Sequence, residues 1–72
     1  MTRLETAEKF ASIIEGKVWS PKGEDGKIRV YAAKRGYAEI TEKGINIDAI
    51  NGHQFDDAKA AADEIGVKYY RG

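Results

Sequence analysis

The chain has 72 residues, of which 12 are basic and 12 acidic, and it contains no cysteine. A chain of this length forms one small domain that buries about 60% of its unfolded surface, and neither a disulfide nor a thiolate-bound metal can reinforce its core. The charged N-terminus lacks the apolar segment of a signal peptide, and no apolar run is long enough to cross a bilayer. These features predict one cytoplasmic domain.

The charges are unevenly distributed along the chain. Residues 17–35 include six basic and two acidic residues, a net charge of +4, whereas residues 36–66 include two basic and seven acidic residues, a net charge of −5. Such asymmetry bears on partners and association rather than on fold.

The N-terminal segment predicts a helix. Thr2 can cap it, and Glu5 stands at the spacing of a capping box. Gly16 is expected to end the helix. An apolar stripe at helical spacing lies between them: Leu4, Ala7, Phe10, Ala11 and Ile14.

A meander of strands is predicted next. Residues 17–20 form a short strand that Pro21 ends, with Val18 facing inward and Trp19 outward. An acidic, solvated loop at residues 23–26 leads into the run from Lys27 to Ile50, where three segments alternate apolar and polar residues between glycine-bearing turns. Alternation at period two is typical of antiparallel strands with one buried and one wet face.

The first hairpin is expected to turn through the three residues Lys34-Arg35-Gly36, with Gly36 at positive φ. The cross-strand pairs that this loop predicts are Ala32 with Ala38, Val30 with Ile40, Tyr31 with Glu39, and Arg29 with Thr41.

Two registers are open for the second hairpin. A two-residue loop of Lys43-Gly44 sets Glu39 opposite Asp48, and like charges directly opposite are destabilising. A four-residue loop, residues 41–44, sets Glu39 opposite Asn46 and Tyr37 opposite Asp48, with positive φ only at Gly44. The second register is preferred.

A second helix follows the meander. Its apolar stripe is Phe55, Ala58, Ala61, Ala62 and Ile65. Gly66 ends it, and residues 67–70 either add a short last strand or pack as a tail. The fold is predicted to be an α+β two-layer sandwich of order α-β-β-β-β-α, with a three- to four-stranded antiparallel meander covered on one face by two helices.

Candidates for catalysis are few. His53, with Asp56 and Asp57, imitates a metal cluster, but a metal site needs three or four convergent ligands and a helix start is ordinarily rich in acids. No nucleophile accompanies His53, and residues 23–26 lack the lysine and spacing of a P-loop. We therefore expect no enzymatic activity, no metal and no cofactor.

The outer face of the sheet is the first candidate binding surface. Trp19 and Arg29 are predicted to lie opposite each other and form a cation–π contact. Aromatic residues with arginine serve as anchors in protein interfaces and as stacking platforms for single-stranded nucleic acid. The alternative is that the tail with Tyr69 and Tyr70 covers them. The predicted surface consists of Trp19, Arg29, Tyr31, Lys34, Arg35 and Tyr37.

The second helix offers another surface, made of Asp56, Asp57, Asp63 and Glu64. These residues either meet a basic partner or form an ordinary solvated helix face. The segment Ile45–Ile50 is predicted to be a sheet edge without a lysine or proline guard, where a homodimer could pair.

Two resemblances concern element order. The order α-β-β-β-α, with Ala58-Lys59-Ala60-Ala61-Ala62 in the last helix, resembles the double-stranded-RNA-binding domain. That family grips phosphates with lysines at the start of its last helix. Residues 53–57 read His-Gln-Phe-Asp-Asp here, and their carboxylates would repel phosphate. RNA binding is not carried over on topology alone.

In size, composition and element order, the chain is also similar to small α+β accessory proteins of phages and mobile elements, anti-CRISPR inhibitors among them. This resemblance implies a small protein-binding module that inhibits its partner by surface occlusion, in the host cytoplasm if phage-encoded. The alternative is a nucleic-acid-binding domain that uses the aromatic and basic outer face of the sheet.

Overall fold

The structure, a computed structural model, describes residues 1–33, 36–50 and 52–72, except the side chain of His53. Helices α1 (Arg3–Ile14) and α2 (Phe55–Ile65) pack on one face of a five-stranded sheet. The strands are β1 (Lys17–Trp19), β2 (Ile28–Tyr31), β3 (Tyr37–Thr41), β4 (Gly44–Asn46) and β5 (Tyr69–Tyr70). They lie side by side in chain order, with β1 to β4 antiparallel and β5 parallel to β4. The predicted α+β architecture is confirmed.

The core lies between the sheet and the two helices. Phe10, Ile28, Ile45 and Ile47 are fully buried there, and the predicted stripe of α2 faces it through Ala58, Ala61 and Ala62. Within the described part of the chain, neither helix is long and apolar enough to cross a membrane.

The N-terminus of α1 is capped twice. The Thr2 hydroxyl accepts a hydrogen bond from the Glu5 amide at 3.1 Å, and the Glu5 carboxylate accepts one from the Thr2 amide at 3.1 Å, which confirms the capping box. The bond from the Thr2 amide lowers the pKa of Glu5.

The second cap comes from a distant residue. Glu24 lies in a 3₁₀ turn (Gly23–Asp25), and its two carboxylate oxygens accept hydrogen bonds from the amides of Arg3 (2.8 Å) and Leu4 (2.9 Å). The Arg3 guanidinium contacts the same carboxylate at 3.5 Å and donates to the carbonyl of Gly26 at 3.1 Å. The loop at residues 23–26, which was predicted to be solvated, therefore connects the sheet to the start of α1 through hydrogen bonds.

Replacing Glu24 with alanine is expected to lower the free energy of unfolding by about 1–2 kcal/mol, because two helix-terminal amides lose a charged acceptor. Urea denaturation followed by circular dichroism measures the change. Asp25→Ala, which removes the neighbouring carboxylate from the same turn, is the control and should cost less than about 0.5 kcal/mol. Equal losses in the two variants would contradict a specific cap by Glu24.

Helix α1 ends directly before Gly16, as predicted, but its left-handed cap is not a glycine. The residue in the left-handed conformation is Glu15 (φ 58°), whose amide donates to the Ala11 carbonyl, and not Gly16. Gly16 is required for a different reason. A Cβ at this position would lie 2.7 Å from the Tyr31 carbonyl oxygen and 2.9 Å from Cγ1 of Val30. The glycine thus allows the chain to pass close to β2 on leaving the helix.

The predicted register of the first hairpin is wrong by two residues. The observed pairs are Ile28 with Ile40, Arg29 with Glu39, Val30 with Ala38, and Tyr31 with Tyr37. The cause lies at the turn, where the Ala32 amide donates to the Gly36 carbonyl at 3.0 Å, so Gly36 pairs across the hairpin instead of belonging to its loop. Gly36 has the predicted positive φ, 83°. Because the shift is an even number, the inward and outward faces are unchanged.

The second hairpin has the preferred register, but Thr41 and Gly44 pair with each other as strand ends, so its loop is residues 42–43 and not the predicted 41–44. Glu39 pairs with Asn46, and Gly44 has a φ of 133°. The predicted pairing of Tyr37 with Asp48 is wrong, since the Tyr37 amide donates to the Ala49 carbonyl at 3.2 Å. One extra residue between Asn46 and Ala49 accounts for this difference, as in a β-bulge.

The C-terminal segment forms a strand. The amides of Ile45 and Ile47 donate to the carbonyls of Lys68 (2.8 Å) and Tyr70 (2.9 Å), so β5 extends the sheet beyond β4. The predicted free edge at Ile45–Ile50 is therefore wrong where β5 pairs with it, over residues 45–47, and the homodimer stays a prediction. The sheet edges among the described residues are β1 and β5.

Candidate functional site

The face of the sheet opposite the helices carries one continuous row of side chains across all five strands. The register pairs Trp19 with Arg29, Arg29 with Glu39, Glu39 with Asn46, and Asn46 with Tyr70. Paired residues share a face of a sheet, so these five side chains stand next to one another.

Arg29 is the centre of this face. Its guanidinium carbon lies 4.5 Å from the ring centroid of Tyr37 and 5.3 Å from that of Trp19, so one cation contacts two aromatic rings. The predicted contact between Trp19 and Arg29 is confirmed. A guanidinium within about 6 Å of a ring centroid is attracted by the ring's quadrupole.

Tyr31 completes the cluster. Nη1 of Arg29 donates a hydrogen bond to the Tyr31 hydroxyl at 3.3 Å, and the rings of Tyr31 and Tyr37 lie 5.4 Å apart between centroids. The bond with Tyr31 raises the pKa of Arg29 above its ordinary value, so the guanidinium stays charged. We call Trp19, Arg29, Tyr31 and Tyr37 the outer-face cluster.

One buried polar atom of the cluster has no partner among the described residues. Nε of Arg29 is buried and has no hydrogen bond with any residue that the structure describes. Arg29 and Glu39 are cross-strand neighbours, yet they form no ion pair. The arginine is therefore held by the rings rather than by the nearby carboxylate.

The outer-face cluster is open to solvent. Trp19 is 41% exposed and Tyr31 is 40% exposed. The predicted alternative, in which the tail covers these rings, is wrong, because β5 lies on the far side of β4. The Tyr70 hydroxyl bonds to Oγ1 of Thr41 at 2.8 Å, and Tyr69 pairs with buried Ile45 on the helix side.

Two residues of the predicted surface, Lys34 and Arg35, lie outside the described residues, and their part in the site stays a prediction. The same holds for the side chain of His53. Among the residues that the structure describes, no group of three or more His, Cys, Asp or Glu side chains is placed to hold a metal ion.

The predicted acidic surface is divided. Asp56, Asp57, Asp63 and Glu64 are all exposed, but only Asp57 and Glu64 line the groove between α2 and the end of α1. There they are joined by Glu15, which the sequence interpretation did not select. Its place could not be anticipated, because the sequence pattern does not show how the end of α1 lies against α2.

Comparison of the chain with protein-family models, with curated proteins and with solved structures finds no match. Function is therefore inferred from the placement and chemistry of the chain's own side chains.

Proposed function

We propose that the chain is a small, non-enzymatic protein-binding module that contacts its partner through the outer-face cluster. The observation that carries the proposal is the guanidinium of Arg29, held between the rings of Trp19 and Tyr37 on an open sheet face. Tryptophan, tyrosine and arginine are the residues enriched at the energetic centres of protein interfaces. Here they stand together, with Trp19 and Tyr31 exposed.

Pre-organisation supports this assignment. Binding ordinarily costs about 0.5–1.5 kcal/mol for each long side chain that becomes immobilised. Arg29 already has two ring contacts and a hydrogen bond to Tyr31, so its orientation is set before a partner arrives. More of the contact energy then contributes to affinity.

A protein partner fits the cluster better than single-stranded nucleic acid. Base stacking needs a free ring face. Arg29 lies over one face of the Trp19 ring and one face of the Tyr37 ring, which removes those faces from stacking. Glu39 stands next to Arg29 in the same row and would repel a phosphate.

The first test is affinity capture from a lysate of the source cells, with quantitative mass spectrometry. Tyr31→Ser should abolish enrichment of a specific protein that the wild type captures. Tyr69→Ser is the matched control, because Tyr69 is 38% exposed but lies on the helix side. With the identified partner, Trp19→Ala and Tyr31→Ser should each raise Kd at least about tenfold, or about 1.4 kcal/mol.

Two results would contradict the proposal. One is a captured protein that Tyr69→Ser loses and Tyr31→Ser retains. The other is quenching of Trp19, the sole tryptophan, by single-stranded oligonucleotides at low ionic strength. Quenching with steep salt dependence would assign the face to nucleic acid.

We further propose inhibition as the form of this binding: the domain covers a functional surface of a cytoplasmic partner. Its support is the similarity of the chain, in size, composition and element order, to small inhibitors of phages and mobile elements. Loss of the identified partner's activity on addition of the wild type, but not of Tyr31→Ser, is the expected result.

A further inference from the structure

A second surface lies on the other side of the molecule, in the helix layer. A groove of about 350 Å³ runs between the end of α1 and the exposed side of α2. Ile13, which is 39% exposed, lines it together with Ala33 and Ala60. Ile13 is thus an aliphatic side chain in the groove that another molecule's apolar side chain can reach.

The rim of the groove is acidic. Glu15, Asp57 and Glu64 line it, and no basic residue does so among the residues that the structure describes. None of these three carboxylates forms an ion pair with a described residue. All three residues are exposed, so their charges favour a basic partner.

We propose that this groove binds a basic amphipathic segment of a partner protein. An apolar side chain of that segment would contact Ile13, and lysine or arginine residues on either side would face Glu15, Asp57 and Glu64. Helices that lay an apolar face into a groove are a common mode of recognition. The acidic rim disfavours nucleic acid and anionic membranes, since both carry negative charge. The proposal does not depend on the outer-face cluster, which lies on the opposite face of the sheet.

The probe is a fluorescein-labelled amphipathic helix of leucine and lysine, about 14 residues or roughly four turns long. Fluorescence anisotropy at low ionic strength should show binding that weakens as salt is added. A peptide with glutamate in place of every lysine should not bind. Chemical-shift changes in the ¹⁵N spectrum should centre on Ile13, Ala60 and Glu64.

Point variants distinguish binding in the groove from a general effect of the protein's negative charge. Glu64→Lys and Ile13→Asn should each raise Kd for the lysine peptide at least about tenfold. Asp63→Lys makes the same charge change at the neighbouring position of α2, which does not line the groove, and should alter Kd less than about twofold. Glu15→Asn should weaken binding without loss of stability, since asparagine tolerates positive φ better than glutamate does.

Several results would overturn the inference. These are no binding at low ionic strength, equal losses for Asp63→Lys and Glu64→Lys, or unchanged affinity in Ile13→Asn. Sedimentation that shows a dimer of the wild type, dissolved by Glu64→Lys, would assign the groove to a second copy of the chain instead.

Discussion

Alanine in place of Gly44 is expected to detach β5 and to lower the free energy of unfolding by about 3 kcal/mol or more. Gly44 has a φ of 133°, a conformation that costs an L-residue about 1–2 kcal/mol. A Cβ there would also collide with the backbone carbonyl of Lys68, and overpacking of this kind costs about 1–3 kcal/mol. The Lys68 carbonyl is the acceptor for the Ile45 amide, so relief of the collision breaks the pairing of β4 with β5.

Hydrogen exchange distinguishes loss of the pairing between β4 and β5 from destabilisation of the whole domain. The amides of Ile45 and Ile47 bond to β5 and should lose protection in Gly44→Ala, while amides between β2 and β3 keep more of theirs. Gly66→Ala is the control, because Gly66 has a φ of 74° and a Cβ there meets no atom within 4 Å. It should cost about 1 kcal/mol and leave Ile45 protected. Equal losses of unfolding free energy in the two variants would show that the close approach of the Lys68 carbonyl does not contribute to the effect.

The second large effect is expected at the end of α1, where two neighbouring substitutions should act in opposite directions. Gly16→Ala should lower the free energy of unfolding by about 2 kcal/mol, because its Cβ would press on the Tyr31 carbonyl and on Val30. Glu15→Gly should raise it by about 0.5–1 kcal/mol, because glycine adopts the left-handed conformation without strain.

Urea denaturation of the two variants and the wild type tests the assignment of the left-handed residue. If Gly16 were the strained position, Gly16→Ala would still destabilise the protein, but Glu15→Gly would destabilise it too by adding flexibility inside a helix. Stabilisation by Glu15→Gly is thus the decisive result.

Much of the fold follows from the period at which apolar residues recur along the chain. The alternation in the meander determined which residues face the core, and an error of two residues in the first hairpin left that division intact. The error did matter for the site. The contact of Trp19 with Arg29 was predictable, since it depends on the first strand pair alone. The contact between the tilted rings of Tyr31 and Tyr37 was not, because it requires the register that the Gly36 carbonyl sets.

Contacts between residues distant in sequence explain what was missed. Glu24 caps α1 from a loop 20 residues away, and nothing in an acidic loop indicates which amides it will meet. The parallel pairing of β5 depends on the position at which the chain leaves α2. Glu15, the left-handed cap of α1, lies at the groove because the end of α1 lies beside α2. Each of these features is a property of packing rather than of local pattern.

The parallel β5 also orders the events of folding. Strands β1 to β4 are joined by hairpins and loops between neighbours, whose closure is fast. β5 can reach β4 only after α2 has crossed the helix layer, so its pairing closes the longest loop within the sheet. We expect β5 to join last and to open first. During that interval the β4 edge is bare, and a nascent chain is then most exposed to pairing with another copy of itself.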